Sequence, residues 1–111
     1  MASVLEQLEQ VLQDRRSADP AQSYVASLYA EGLNKILEKV GEESIEVLLA
    51  AKDAQASAQR EDLVHEVADL WFHLMVLLAQ QNLSYTDVEQ ELARRFGLSG
   101  HTEKANRTVQ S

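Results

Sequence analysis

The stretch Glu61-Asp62-Leu63-Val64-His65-Glu66-Val67-Ala68-Asp69-Leu70-Trp71-Phe72-His73-Leu74-Met75-Val76-Leu77-Leu78-Ala79-Gln80-Gln81 decides the fold. It holds no proline and no glycine, and Leu63, Val67, Leu70, Leu74 and Leu78 recur at intervals of three or four. That period predicts a long helix. With each residue turning the helix by about 100°, Asp62, Glu66, Asp69, His73 and Gln80 fall on one narrow strip bordered by apolar residues. A solvated face would be wider and richer in lysine. The strip reads as a polar seam in a bundle, where helices build metal sites from inward-pointing carboxylates.

Working outward, a second long helix is expected from about Gly32 into Ala50-Ala51. Leu33, Ile36, Leu37, Val40, Ser44, Val47 and Leu48 form its broad stripe. Glu42, Glu43 and Glu46 share the arc beside it with Lys39, and Ile45 and Leu49 border that arc. The small polar run Ala54 to Gln59 reads as the connection between the two helices. Ser3-x-x-Glu6 has the form of a capping box before a first helix ending near Arg15-Arg16. A short element with Tyr24, Leu28 and Tyr29 follows the Ser17-Ala18-Asp19-Pro20 break. Ser84, with Asp87 in the capping-box position, starts a last helix that ends at Gly97, a suitable C′ residue.

The 111 residues make one domain with one core. One proline, four glycines and many Ala, Leu, Glu and Gln residues favour an all-α fold, a bundle of about four to five helices. Two long helices apolar almost all round need partners on several sides, so completion by dimerisation, in a homodimer or larger homo-oligomer, is expected. The net charge of −8 argues against binding nucleic acid. No apolar run is long enough to span a bilayer, so no membrane partner is expected. The absence of cysteine and of a charged-then-apolar leader fits a cytoplasmic protein.

Carboxylates surrounded by apolar groups are costly unless paired or coordinated to metal. Five acids at one-turn spacing on neighbouring helices, Glu42, Glu43, Glu46, Glu66 and Asp69, are the parts of a cage for a hard divalent cation such as Mg²⁺. Glu-x-x-Glu patterns also mark solvated helix faces, so spacing alone leaves both readings open.

Lys39-Val40-Gly41-Glu42-Glu43-Ser44-Ile45-Glu46-Val47, followed by Glu66-Val67-Ala68-Asp69-Leu70, resembles the E-E-x-x-E…E-x-x-D signature of the all-α nucleoside triphosphate pyrophosphohydrolases. Within that superfamily the Lys-Val-Gly-Glu-Glu run, Ser23 to Leu28, Gly32 to Leu37, Asp69 to Leu74 and Glu103-Lys104-Ala105-Asn106-Arg107 are similar to the phosphoribosyl-ATP pyrophosphohydrolase family. The resemblance implies Mg²⁺-dependent cleavage of 1-(5-phosphoribosyl)-ATP to phosphoribosyl-AMP and pyrophosphate, the second step of histidine biosynthesis, in a dimer. Without the cysteine ligands of a fused cyclohydrolase, the expectation is a stand-alone hydrolase. Ser44 stands where the family commonly has alanine.

Carried over to the matching positions, Glu43, Glu46, Glu66 and Asp69 are the expected Mg²⁺ ligands. Glu42 is a further ligand or, like Glu43, a candidate catalytic base. Lys39 could meet a phosphate or merely pair with Glu43. His73 could touch substrate, hold Asp69, or be a satisfied core group. His65 points away from the centre of the strip and receives no role. Arg95, Lys104 and Arg107 are candidate substrate contacts. The domain is taken as residues 1–97, with a basic tail at 98–111 that is either loose or closes over the site. A house-cleaning nucleotide pyrophosphohydrolase and a non-catalytic helical dimerisation module are the alternatives.

Overall fold

The computed structural model describes residues 2–57 and 60–96; the expectations for 98–111, including Lys104 and Arg107, lie outside them. Among the described residues there are five α-helices, a 3-10 turn and no strand: α1 (Val4–Asp14), the turn Arg15–Ser17, α2 (Tyr24–Glu31), α3 (Leu33–Ser57), α4 (Glu61–Gln80) and α5 (Tyr85–Phe96). The all-α reading holds.

Helix starts follow from side-chain caps. Ser3 Oγ accepts from the Glu6 amide at 3.1 Å, and Ser23 Oγ accepts from Ala26 at 3.2 Å. At α5 the Ser84 amide donates to Asp87 Oδ2 at 2.9 Å, the backward half of the expected capping box. One end differs from expectation: α3 continues through Ala54 and Gln55 to Ser57 instead of giving way to a connection. No Gly or Pro interrupts that run, and alanine and glutamine are strong helix formers, so local propensity carries the helix on.

Between α2 and α3 stands a single residue, Gly32, with φ +96° and ψ −175°. Only glycine adopts that region at small cost. It lets α2 end and α3 begin without a loop, its amide bonding Leu28 O at 3.0 Å and its carbonyl accepting from Ile36 at 3.3 Å.

The core is small. Leu12, Leu28, Ile36 and Val76 are the fully buried large side chains, joined by Val25, Met75 and Ala79, with Leu8, Tyr29, Phe72 and Tyr85 packed around them. Burying each of the four is worth about 1.5–3 kcal/mol. Helices α3 and α4 share the most extensive interface and form a hairpin that positions the acidic residues. The stripe expected on α3 is buried only at Ile36; in the single chain Leu37 and Leu48 face solvent.

Polar ties fix the N-terminal helices to the far end of α4. Arg16 donates to Ala79 O at 3.1 Å and Asn82 Oδ1 at 3.0 Å while its guanidinium lies 5.4 Å from the Tyr29 ring centroid. Glu9 of α1 accepts from Ser84 Oγ at 3.1 Å and the Tyr85 amide at 3.0 Å, so a carboxylate from another helix sits at the start of α5.

Candidate active site

One turn separates Glu66 from Asp69, so α4 presents both carboxylates on the same edge. His65, Glu66 and Asp69 can each place one ligand atom within 4.8 Å of the others, and His65 Nε2 lies 3.4 Å from Asp69 Oδ2. Partial burial and the nearby charge of Asp69 hold the Glu66 carboxyl above the usual glutamate range. Glu46 and Glu43 push the same way from α3 across the hairpin. The geometry therefore groups Glu66 and Asp69 tightly and sets Glu43 and Glu46 opposite, outside that tight group.

On α3, Lys39 lies 3.1 Å from Glu42 Oε2 and 4.0 Å from Glu43 Oε1. The hydrogen bond to Lys39 holds Glu42 below the ordinary glutamate range. The Glu42 side chain is 51% exposed, whereas that of Glu43 is 14% exposed and turned toward the packed helices. The ion pair expected for Lys39 is present, with Glu42 the closer partner. Ser44 bonds its own helix through Val40 O at 2.8 Å, which accounts for a hydroxyl at a half-buried position.

His73 is buried on α4, and both ring nitrogens are used. Nδ1 lies 2.8 Å from Asp69 O, a carbonyl that can only accept, so Nδ1 carries the proton. That leaves Nε2 to accept from the Tyr24 hydroxyl, 2.8 Å away. The Tyr24 ring lies near-parallel to Phe72, centroids 6.5 Å apart. Burial is the main cause of a raised Tyr24 hydroxyl pKa, with Lys39 opposing it and Glu43 adding to it.

The sequence pattern singles out neither His65 nor Tyr24. His65 stands four residues before Asp69, an i,i+4 pair that was open to reading. Tyr24 carried no local signal, because its partner is far along the chain. Arg95 lies on α5 with Nε 3.2 Å from Glu91 Oε1, in a cluster with Arg94. Its described partner is that glutamate rather than the acids of the hairpin.

A helical hairpin with carboxylates on both arms, in an all-α chain of this size, is the architecture of the all-α nucleoside triphosphate pyrophosphohydrolases. The family model for phosphoribosyl-ATP pyrophosphohydrolase matches residues 5–96. A phosphoribosyl-ATP pyrophosphatase of Hydrogenovibrio crunogenus is 57% identical over 105 residues, covering 95% of this chain and 93% of that protein. The chain belongs to the phosphoribosyl-ATP pyrophosphohydrolase family.

Proposed function

We propose that this chain hydrolyses 1-(5-phosphoribosyl)-ATP to 1-(5-phosphoribosyl)-AMP and pyrophosphate, in histidine biosynthesis, with Mg²⁺ held between α3 and α4. The observation that carries the metal reading is the clustering of Glu66 and Asp69, whose ligand oxygens can lie within 4.8 Å of each other and of His65, with the Glu66 carboxyl raised by burial and by Asp69, Glu46 and Glu43. Such repulsion is relieved by a cation, and the all-oxygen carboxylate set suits a hard one. Glu66 and Asp69 would hold it from α4, with Glu43 and Glu46 from α3. His65, beside Asp69, would orient that carboxylate.

Mg²⁺ bound there would neutralise the polyphosphate and acidify a nearby water. The chain's own groups do the rest. A carboxylate takes the proton of the attacking water, and Glu42 and Glu43 are the two candidates on α3. Lys39 meets a phosphate oxygen, and breakage of the phosphoanhydride releases pyrophosphate. His73 borders this region from α4 as a positioning group. Arg95, Lys104 and Arg107 are the further cations proposed for the phosphates, Lys104 and Arg107 lying outside the described residues. Truncation after Gly97 should then weaken substrate affinity.

The working unit in this reading is a homodimer. Ile45, Leu48 and Leu49 of α3 and Val64 and Trp71 of α4 are each more than half exposed in one chain. An apolar groove of about 310 Å³ adds to this surface, lined by Leu5, Trp71, Leu74, Leu78, Val88 and Leu92. A second copy covering these side chains would remove an exposed apolar surface rarely tolerated in monomers. None of the described helices is long and apolar enough to cross a membrane.

The test is pyrophosphate release from phosphoribosyl-ATP against a panel of canonical and modified triphosphates, with Mg²⁺ and after chelation. Equal turnover of the panel would favour a house-cleaning role, and activity indifferent to chelation would remove the metal from the reading.

A further inference from the structure

Tyr24 belongs to α2, a helix that contributes none of the five acids, yet its hydroxyl reaches the middle of α4. The bond to His73 Nε2 is 2.8 Å, and His73 passes it on through Nδ1 to Asp69 O at 2.8 Å. The receiving carbonyl belongs to Asp69 itself, one of the two acids grouped on α4. Helix α2 also packs against α3, and the charges of Lys39 and Glu43 act on the Tyr24 hydroxyl. One side chain thus touches the relay to the α4 acids and feels the charges of α3.

We propose that Tyr24 is a positioning residue for the acidic site: through His73 it ties the Asp69 turn of α4 to α2, the helix that packs on α3. The proposal rests on the metal reading above. Asp69 O is a helix carbonyl, and the added His73 donor anchors this turn to the core rather than leaving it to the helix ladder alone. His73 is buried, so its ring has one orientation when the Tyr24 hydroxyl is present and loses its second partner without it. A carboxylate carried on a turn that shifts by a fraction of an ångström binds a cation with strict geometry, such as Mg²⁺, less well.

Helix α2 supplies its own control. Tyr29 also donates a half-buried hydroxyl hydrogen bond, to Leu12 O at 3.0 Å, at the core side of the same helix. Tyr24→Phe and Tyr29→Phe each delete one such hydroxyl, so a merely structural role predicts the same behaviour for both. Mg²⁺ binding is measured by calorimetry on the full chain without substrate, and pyrophosphate release is measured as a function of Mg²⁺. The expected result is a three- to tenfold weaker Mg²⁺ affinity and a lower kcat for Tyr24→Phe, with both unchanged for Tyr29→Phe although its melting temperature also falls. His73→Phe, which keeps a ring but lacks both hydrogen bonds, should reproduce the shift and serves if Tyr24→Phe is poorly soluble. Mg²⁺ affinity equal in Tyr24→Phe and wild type overturns the positioning role and leaves the metal reading intact. A wild-type chain that binds no Mg²⁺ overturns both.

Discussion

The Tyr24 hydroxyl and His73 Nε2, 49 residues apart in sequence, lie 2.8 Å from each other and join α2 to α4 beside the acidic hairpin. Because His73 is buried, Tyr24→Phe leaves a ring nitrogen without a partner. The expected loss of stability is about 1–3 kcal/mol, read from the urea midpoint at unchanged slope.

Gly32→Ala should be costly in spite of open space. A Cβ there would meet nothing within 4 Å, so no clash opposes it. The φ of +96° does, since an L-residue there is strained by about 1–3 kcal/mol. Chemical denaturation of the variant should show that loss; a stability equal to wild type would mean that α2 and α3 can join in another way.

Glu66 gives a prediction whose sign depends on metal. Its carboxyl is raised from the ordinary 4.5, so the folded chain holds a proton longer than the unfolded one. Stability therefore falls as pH rises from about 4.5 through the folded value, and the metal-free protein at neutral pH carries that penalty. Glu66→Gln should melt higher than wild type without Mg²⁺ at pH 7, with no advantage at pH 4. Saturating Mg²⁺ should reverse the order, because only wild type then gains about 2.7 kcal/mol at a hundredfold excess over Kd.

Glu91 titrates the other way. Hydrogen bonds from Arg94 and Arg95 lower its carboxyl from 4.5 to about 2. Its contribution is present above pH 4.5 and is lost as pH falls toward 2. The melting difference between wild type and Glu91→Gln should shrink over that window, and it should shrink with added salt at pH 7, because the cluster is exposed.

Light scattering at micromolar concentration should report a dimer, and Leu48→Glu or Trp71→Glu should shift it toward monomer. Both side chains are more than half exposed in the single chain, so neither change disturbs the chain's own core.

Periodicity made the helices and the acidic edge legible, because i,i+3 and i,i+4 relations survive in the sequence without knowledge of packing. Glu66 beside Asp69 and Lys39 beside Glu42 and Glu43 are such relations. The Ala54 to Ser57 run misled because its small polar residues suit a loop in composition and a helix in propensity. His65 points away from the centre of the strip, yet its side chain reaches along the helix to Asp69, a relation that the helical angle alone hides. Tyr24–His73 and the Arg16 bonds to Ala79 and Asn82 join residues far apart along the chain, and no local pattern announces them.

The hairpin of α3 and α4 has a consequence for the order of assembly. Glu43, Glu46, Glu66 and Asp69 all lie within one local turnaround, whereas Arg16 must find Asn82 across 66 residues. Each doubling of the closed loop costs about 0.6 kcal/mol in chain entropy. The acids should therefore meet early in folding, before α1 and α2 dock, with a cation able to speed that step. The contacts of Tyr24 and Arg16 come last, so the site would be gathered first and sharpened afterwards. In stopped-flow refolding, Mg²⁺ would then quicken the first phase, while Tyr24→Phe would leave the folding rate nearly unchanged and hasten unfolding.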